Sequence, residues 1–192
     1  MKTKAFTILA VVFLVLHFLS HATNLNASNT ERFNNEKDLL LAHYDCKTDV
    51  DDLHSAAAFF TLMNYPGFTD INHHVVAGAY GTQEGLYVPP DPLMQKAFED
   101  NWSDAHKNRE KALQKVKKRV DETLVREGNI WVAEGGQSDF TASLLKQVMA
   151  DHPDLKSSER FHVVQHSDWN EEVTSQRSEE RRVGKECVSE CR

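Results

Sequence analysis

An apolar run, a turn and a helical pattern recur in that order along residues 38–166, and this alternation predicts an α/β fold, a mostly parallel sheet with flanking helices. The runs are short and continuously apolar, the habit of strands buried on both faces. The stretches between them are long enough for right-handed helical crossovers. Composition agrees, since 192 residues that are 40% hydrophobic and 27% charged suffice for one domain with a core.

"DLLLAHY" (38–44) reads as the first strand. "DDLHSAAAFFTLMNY" (51–65) follows as a helix, with acids in its first turn, an apolar body over 56–63 and a stop at Pro66-Gly67. "INHHVVAGAYG" (71–81) is a second strand running into a glycine-containing loop, and "VPPDP" (88–92) opens a helix with Asp91 as its cap and Pro92 in its first turn. The helical pattern then runs over 93–127, with Leu113, Val116, Val120 and Leu124 spaced three and four apart and a point of division at 101–104. Lys115, Lys117, Lys118 and Arg119 are interleaved with Glu110, Asp121 and Glu122, which makes them a solvated helix face rather than a basic patch. "NIWVA" (129–133) is a third strand, "EGGQSD" (134–139) its turn, and "FTASLLKQVMADHP" (140–153) its helix; "FHVVQH" (161–166) is a fourth strand. Ligands of parallel sheets bind beyond the C-terminal ends of the strands, so loops 45–52, 78–90 and 134–139 are where chemistry is expected.

The two ends read differently. Residues 1–22 carry Lys2 and Lys4, the apolar run "AFTILAVVFLVLHFLS", and Ser20 and Ala22 at the positions a signal peptidase reads. That pattern predicts a secretory signal peptide, because the run is shorter than the ~20 residues of a bilayer span. Residues 23–37 are rich in Asn and read as a flexible leader. "RSEERRVGKECVSECR" (177–192) lacks periodicity and resembles a translated sequencing-library adapter, so it reads as an artefactual or disordered tail and leaves 38–176 as the domain. The expected location is secreted or periplasmic, without membrane contact once the signal is cleaved. The formal charge of −7 becomes −10 when the net +1 of the tail and the +2 of Lys2 and Lys4 are set aside, and such a chain repels nucleic acid. Of the three cysteines only Cys46 lies outside the tail, so no internal disulfide framework is expected.

"DCKTDVDD" (45–52) places four carboxylates at the predicted junction of the first strand and its helix. Two bare carboxylates ~4 Å apart repel by roughly 4 kcal/mol at an effective dielectric near 20. A helix N-terminus offsets only about 0.3–1 kcal/mol of that. The cluster therefore needs a cation, a shared proton or full solvation. All-oxygen ligands select a hard divalent ion, Ca²⁺ before Zn²⁺; the alternative is a solvated acidic cap in which Asp49, Asp51 and Asp52 only favour the helix. Lys47 stands where an aspartyl-phosphate phosphatase has its second Asp. An EF-hand counted from Asp45 would have Val50 and Ala56 where it needs Gly and Glu.

The segment resembles the nucleoside hydrolase family (inosine/uridine-preferring nucleoside hydrolases), whose commonest motif is Asp-x-Asp-x-Gly-x-Asp-Asp. It is closer to the Asp-x-x-x-Asp-x-Asp-Asp variant of an exported nucleoside-hydrolase-like branch. "NIWVAEGGQSDFTASLL" is similar to the family's strand, Gly-rich turn and helix, and "RFHVVQHSDWNE" to the branch's next strand and acidic loop, so that the resemblance covers residues 39–172. It implies a Rossmann-like sheet of the nucleoside hydrolase type, C-terminally truncated and so incomplete, because the family takes its last Asp ligand and a general-acid His from a further segment. It also implies a Ca²⁺-dependent N-ribosyl hydrolase acting on a small-molecule nucleoside or glycoside, with homo-oligomerisation left open. Carried over residue by residue, Asp52 is a metal ligand, Asp51 a contact to ribose hydroxyls, Asp45 a ligand or orienting group, and Asp49 the base and a second ligand. Glu134 offers the metal its backbone carbonyl. The sequence departs from the family at Lys47, where the common motif is acidic, at Ala79, where a substrate-binding Asn is usual, and at "SDF" (138–140). Lys47 in particular leaves open a non-catalytic sugar- or glycan-binding protein, or a plain scaffold module.

His73 and His74, adjacent on a strand, point to opposite faces and cannot share one ion. His43, His54 and His166 lie nearer strand ends, His166 as an acid/base candidate at the mouth of the fourth strand. Trp102 and Trp131 read as core or rim, while Trp169, in the terminal loop, is placed to stack on a base or sugar ring.

Overall fold

A computed structural model describes residues 32–167 and Asn170; its compact unit begins at Phe33. The expected signal peptide, most of the expected leader, Trp169 and the residues read as a tail lie outside the described residues.

Five strands form one all-parallel sheet in the order β3-β2-β1-β4-β5. β1 (Leu39–Tyr44) is central, hydrogen-bonded to β2 (His73–Ala77) on one side and β4 (Ile130–Glu134) on the other. β3 (Trp102–Asp104) and β5 (Phe161–Gln165) are the edges. The crossovers are α1 (Asp51–Met63), α2 (Asp91–Phe98), α3 (Arg109–Val125) and α4 (Asp139–Asp151), with the single turn α5 (Ser157–Arg160) leading into β5.

Alternation along the strands sorts the side chains into two cores. Leu39, Leu41, Val76, Ile130 and Val132 pack against Leu113, Val116 and Val120 of α3 and Phe140, Leu144 and Val148 of α4. Ala42, Tyr44, Val75 and Ala77 face the other way, toward Ala56 of α1 and Met94 and Phe98 of α2. The helices thus cover opposite faces, and the winding reverses between β1 and β4. In open parallel sheets that reversal opens the crevice in which ligands bind.

β3 corrects the expectation of four strands and one divided helical run. The division at 101–104 is present, but it is itself a strand, with Val75 opposite Trp102 and Ala77 opposite Asp104. Three residues are too few to show a period, and the strand is held by long-range bonds instead. Lys115 Nζ donates to the carbonyls of Asp100 and Trp102 at 2.8 and 2.9 Å, and Arg119 donates to Asn101 Oδ1 at 2.6 Å. Two boundaries also shift: the cap of α2 falls on Pro90 with Asp91 already in the first turn, and Glu134 closes β4 instead of opening a turn. His73 and His74 do face opposite sides. His74 is buried against Ser103 Oγ at 2.8 Å, and burial, reinforced by Arg119 and Lys115, pushes its pKa down to about 2. His73 sits edge-on to Phe59 and Phe98.

Candidate functional site

Asp45 follows the last residue of β1, and Asp52 is the second residue of α1. The turn between them brings their carboxyls together, only 4% and 6% exposed and hydrogen-bonded to each other. Cys46 makes this possible by adopting φ 56°, the left-handed region that non-glycine residues avoid. In that conformation its N–H reaches Asp52 Oδ2 at 2.7 Å, and the next N–H, of Lys47, reaches Asp45 Oδ1 at 2.7 Å. The remaining oxygens face one feature, the turn after β4. A Cβ on Gly136 would lie 2.4 Å from Asp45 Oδ2, and one on Gly135 would lie 3.0 Å from Asp52 Oδ1. The two carboxylates therefore span the gap between the ends of β1 and β4, where the winding reverses.

Burial pushes the Asp52 carboxyl up to about 7, against the pull of the Cys46 N–H, and the charges of Asp45 and Asp51 add to the rise. Burial likewise raises Asp45, against the Lys47 N–H. Below about pH 7, with no cation bound, burial keeps a proton on the pair. The Cys46 thiol between them is pushed up to about 12 by burial and by Asp52, which rules it out as a thiolate nucleophile at neutral pH.

The other two acids of the turn do not join them. Asp49 is exposed and its carboxylate accepts the Asp51 N–H at 3.0 Å, which with the Asp51 side chain lowers its pKa. Asp51 is exposed too, and its Oδ1 accepts the Asp52 N–H at 2.8 Å. The Lys47 ammonium is held elsewhere, donating to the Gln83 carbonyl at 2.5 Å and lying 4.0 Å from the centre of the Tyr80 ring, although its charge still pulls the Asp45 pKa down. The Glu134 side chain points into the core on the α4 side, where Thr141 Oγ1 donates to it and His43 Nδ1 lies 3.4 Å away. Its backbone carbonyl accepts the His166 N–H at 3.0 Å.

Sequence reasoning missed the residues that tie the three loops together. Gln137 Oε1 accepts the N–H groups of Gly81 and Gln83 at 2.9 and 3.1 Å. Gln165 Nε2 donates to the Gly136 carbonyl at 2.7 Å, fixing the glycine turn over the acids. At the ends of β2 and β3, Tyr80 Oη and His106 Nδ1 are 2.6 Å apart, and Tyr87 stacks on His106 with ring centres 3.7 Å apart. Gly78, at φ 75°, admits this approach, since a Cβ there would meet the His106 backbone nitrogen at 2.5 Å. Only "GAYG" in the 78–90 loop signalled any of it.

Among the described residues, no three side chains of His, Cys, Asp and Glu form a group able to hold a metal ion. Asp45 and Asp52 alone supply the hard-oxygen donors that Ca²⁺ accepts, and their raised pKa values mark a place where positive charge would be stabilising. The chemistry of the pair fits such an ion. The chain matches no protein-family profile, no curated protein and no solved structure.

Proposed function

We propose that the chain is an exported hydrolase of the nucleoside hydrolase-like type, which cleaves an N-ribosyl or related glycosyl bond with water as the nucleophile. One observation carries the reading: two buried carboxyls meet at the winding reversal of a parallel sheet, under a glycine turn, with raised pKa values. Ca²⁺, when bound, supplies the charge that steadies ribose hydroxyls and activates water. Asp45 and Asp52 would hold that ion, each oriented by a backbone N–H from the Cys46–Lys47 turn. The glycine turn excludes water from one side of the pair, which strengthens every electrostatic interaction there. Asp49 and Asp51 stand on the rim, facing solvent, where Asp51 would meet ribose hydroxyls; the depressed pKa of Asp49 makes it a poor base until substrate buries it.

That exposure of Asp49 favours a second reading, a non-catalytic sugar- or glycan-binding protein on the same scaffold. Release of free base from inosine and uridine by the full-length chain, with Ca²⁺ present, separates the two. The hydrolase reading expects turnover that Asp45→Asn and Asp52→Asn each reduce by about 10²-fold or more. Saturable binding of the nucleosides without any release of base would establish the binding protein instead.

A further inference from the structure

Along the outer edge of the sheet, α3 presents Lys111, Lys115 and Arg119 at four-residue spacing, and Lys107 lies in the turn before it. An open cavity of about 400 Å³ lies between β3 and this column, with Lys107, Lys111 and Lys115 in its wall. It shares no residue with the Asp45–Asp52 pair.

Like charges four apart on a helix repel one another, so such a column gains from anionic or carbonyl partners. The inner cations have them. Lys115 caps the carbonyls of Asp100 and Trp102, and Arg119 reaches the His73 carbonyl and Asn101 Oδ1. The Lys115 ammonium is nevertheless held below its usual range, by burial first and then by the neighbouring charges of Arg119 and Lys111. Elsewhere on the surface Lys37, Lys117, Lys118 and Lys156 each lie within 4.0 Å of a carboxylate, and the exposed Lys96 and Lys146, which among the described residues do not, lie outside the wall of this cavity. The side chains of Lys107 and Lys111 have no hydrogen bond or ion pair among the described residues. The acid of the cavity, Asp104, spends Oδ1 on the Lys107 N–H at 2.8 Å. Asn108, which also lines the cavity, caps α3 by accepting the Lys111 N–H at 3.0 Å.

We infer that this cavity is a binding site for a small doubly charged anion, a phosphate monoester such as a sugar phosphate, gripped by Lys107 and Lys111. The volume lies within the range of small-molecule sites. Ammonium groups serve as point charges toward phosphate, without demanding the planar geometry that guanidinium imposes.

Calorimetric titration of the full-length chain with ribose 5-phosphate at low ionic strength tests it, with ribose as control. Saturable binding is expected for the phosphate and none for ribose, and affinity should fall as salt rises. In the Lys107→Ala/Lys111→Ala variant affinity should drop about tenfold or more while the unliganded Tm stays unchanged. Asp52→Asn should bind the phosphate as the unaltered chain does, which keeps this site separate from the hydrolase reading. Equal affinity in the double lysine variant, absence of any binding, or a response only to long polyanions such as heparin would each overturn the inference; the last would assign the face to a polymer.

Discussion

At the scale of single residues the site is a contest between burial and charge. Asp45 and Asp52 are removed from water, which disfavours ionisation, and each receives one backbone N–H, which favours it. Burial wins, and the sign of the resulting pH dependence follows. Asp52 binds its proton more tightly in the folded chain than in the unfolded one, so its contribution is fully present below the ordinary carboxylate pKa and is lost as pH rises toward about 7. Asp52→Asn keeps an oxygen for the Cys46 N–H and removes the titration. In metal-free buffer the variant should therefore be the more stable by about 1–3 kcal/mol at pH 8 and nearly equal to the parent at pH 4, as measured by urea unfolding. The buried, neutral His74 works in the opposite direction, losing stability as pH falls below its unfolded value, but it is common to both chains and cancels in the difference. Equal curves for the two chains across that range would mean that the pair is not strained.

At the scale of elements the decisive partner of the acids is a turn that carries no charge. Gly136 lies against Asp45 with no room for a side chain, and Gly135 lies so close to Asp52 that a side chain there would make its neighbours give way. Gly136→Ala would force a methyl to within 2.4 Å of a carboxylate oxygen, and should cost about 1–3 kcal/mol in urea unfolding while weakening whatever the pair binds. The sequence made part of this arrangement legible. "DLLLAHY" and "NIWVA" were readable as strands because buried parallel strands are continuously apolar, and "DCKTDVDD" marked the corner by the density of its charge. Which acids converge was not readable, because that depends on the left-handed turn at Cys46, a conformation no local propensity announces. The edge strand β3 escaped for a related reason: its three residues are fixed by Lys115 and Arg119 reaching across from α3, not by a pattern of their own.

At the scale of the whole molecule the strand order decides where chemistry can happen. The helices α1 and α2 lie on one face and α3 and α4 on the other, so the loops after β1 and β4 part company at the centre of the sheet. Asp45 and Asp52 on one side of that parting and Gly135–Gly136 on the other form its walls, and Gln137 and Gln165 fasten the neighbouring loops to it. On the proposed reading this crevice holds a divalent cation. The most direct measurement is the thermal unfolding of the full-length chain with and without Ca²⁺ on the order of millimolar, at pH 8, above the raised pKa of Asp52. A cation bound at about a hundred times its Kd stabilises by about 2.7 kcal/mol, a rise of several degrees in Tm. That rise is expected for the parent chain and none for Asp52→Ala. An unchanged Tm in the parent, or the same rise in Asp52→Ala, would contradict it.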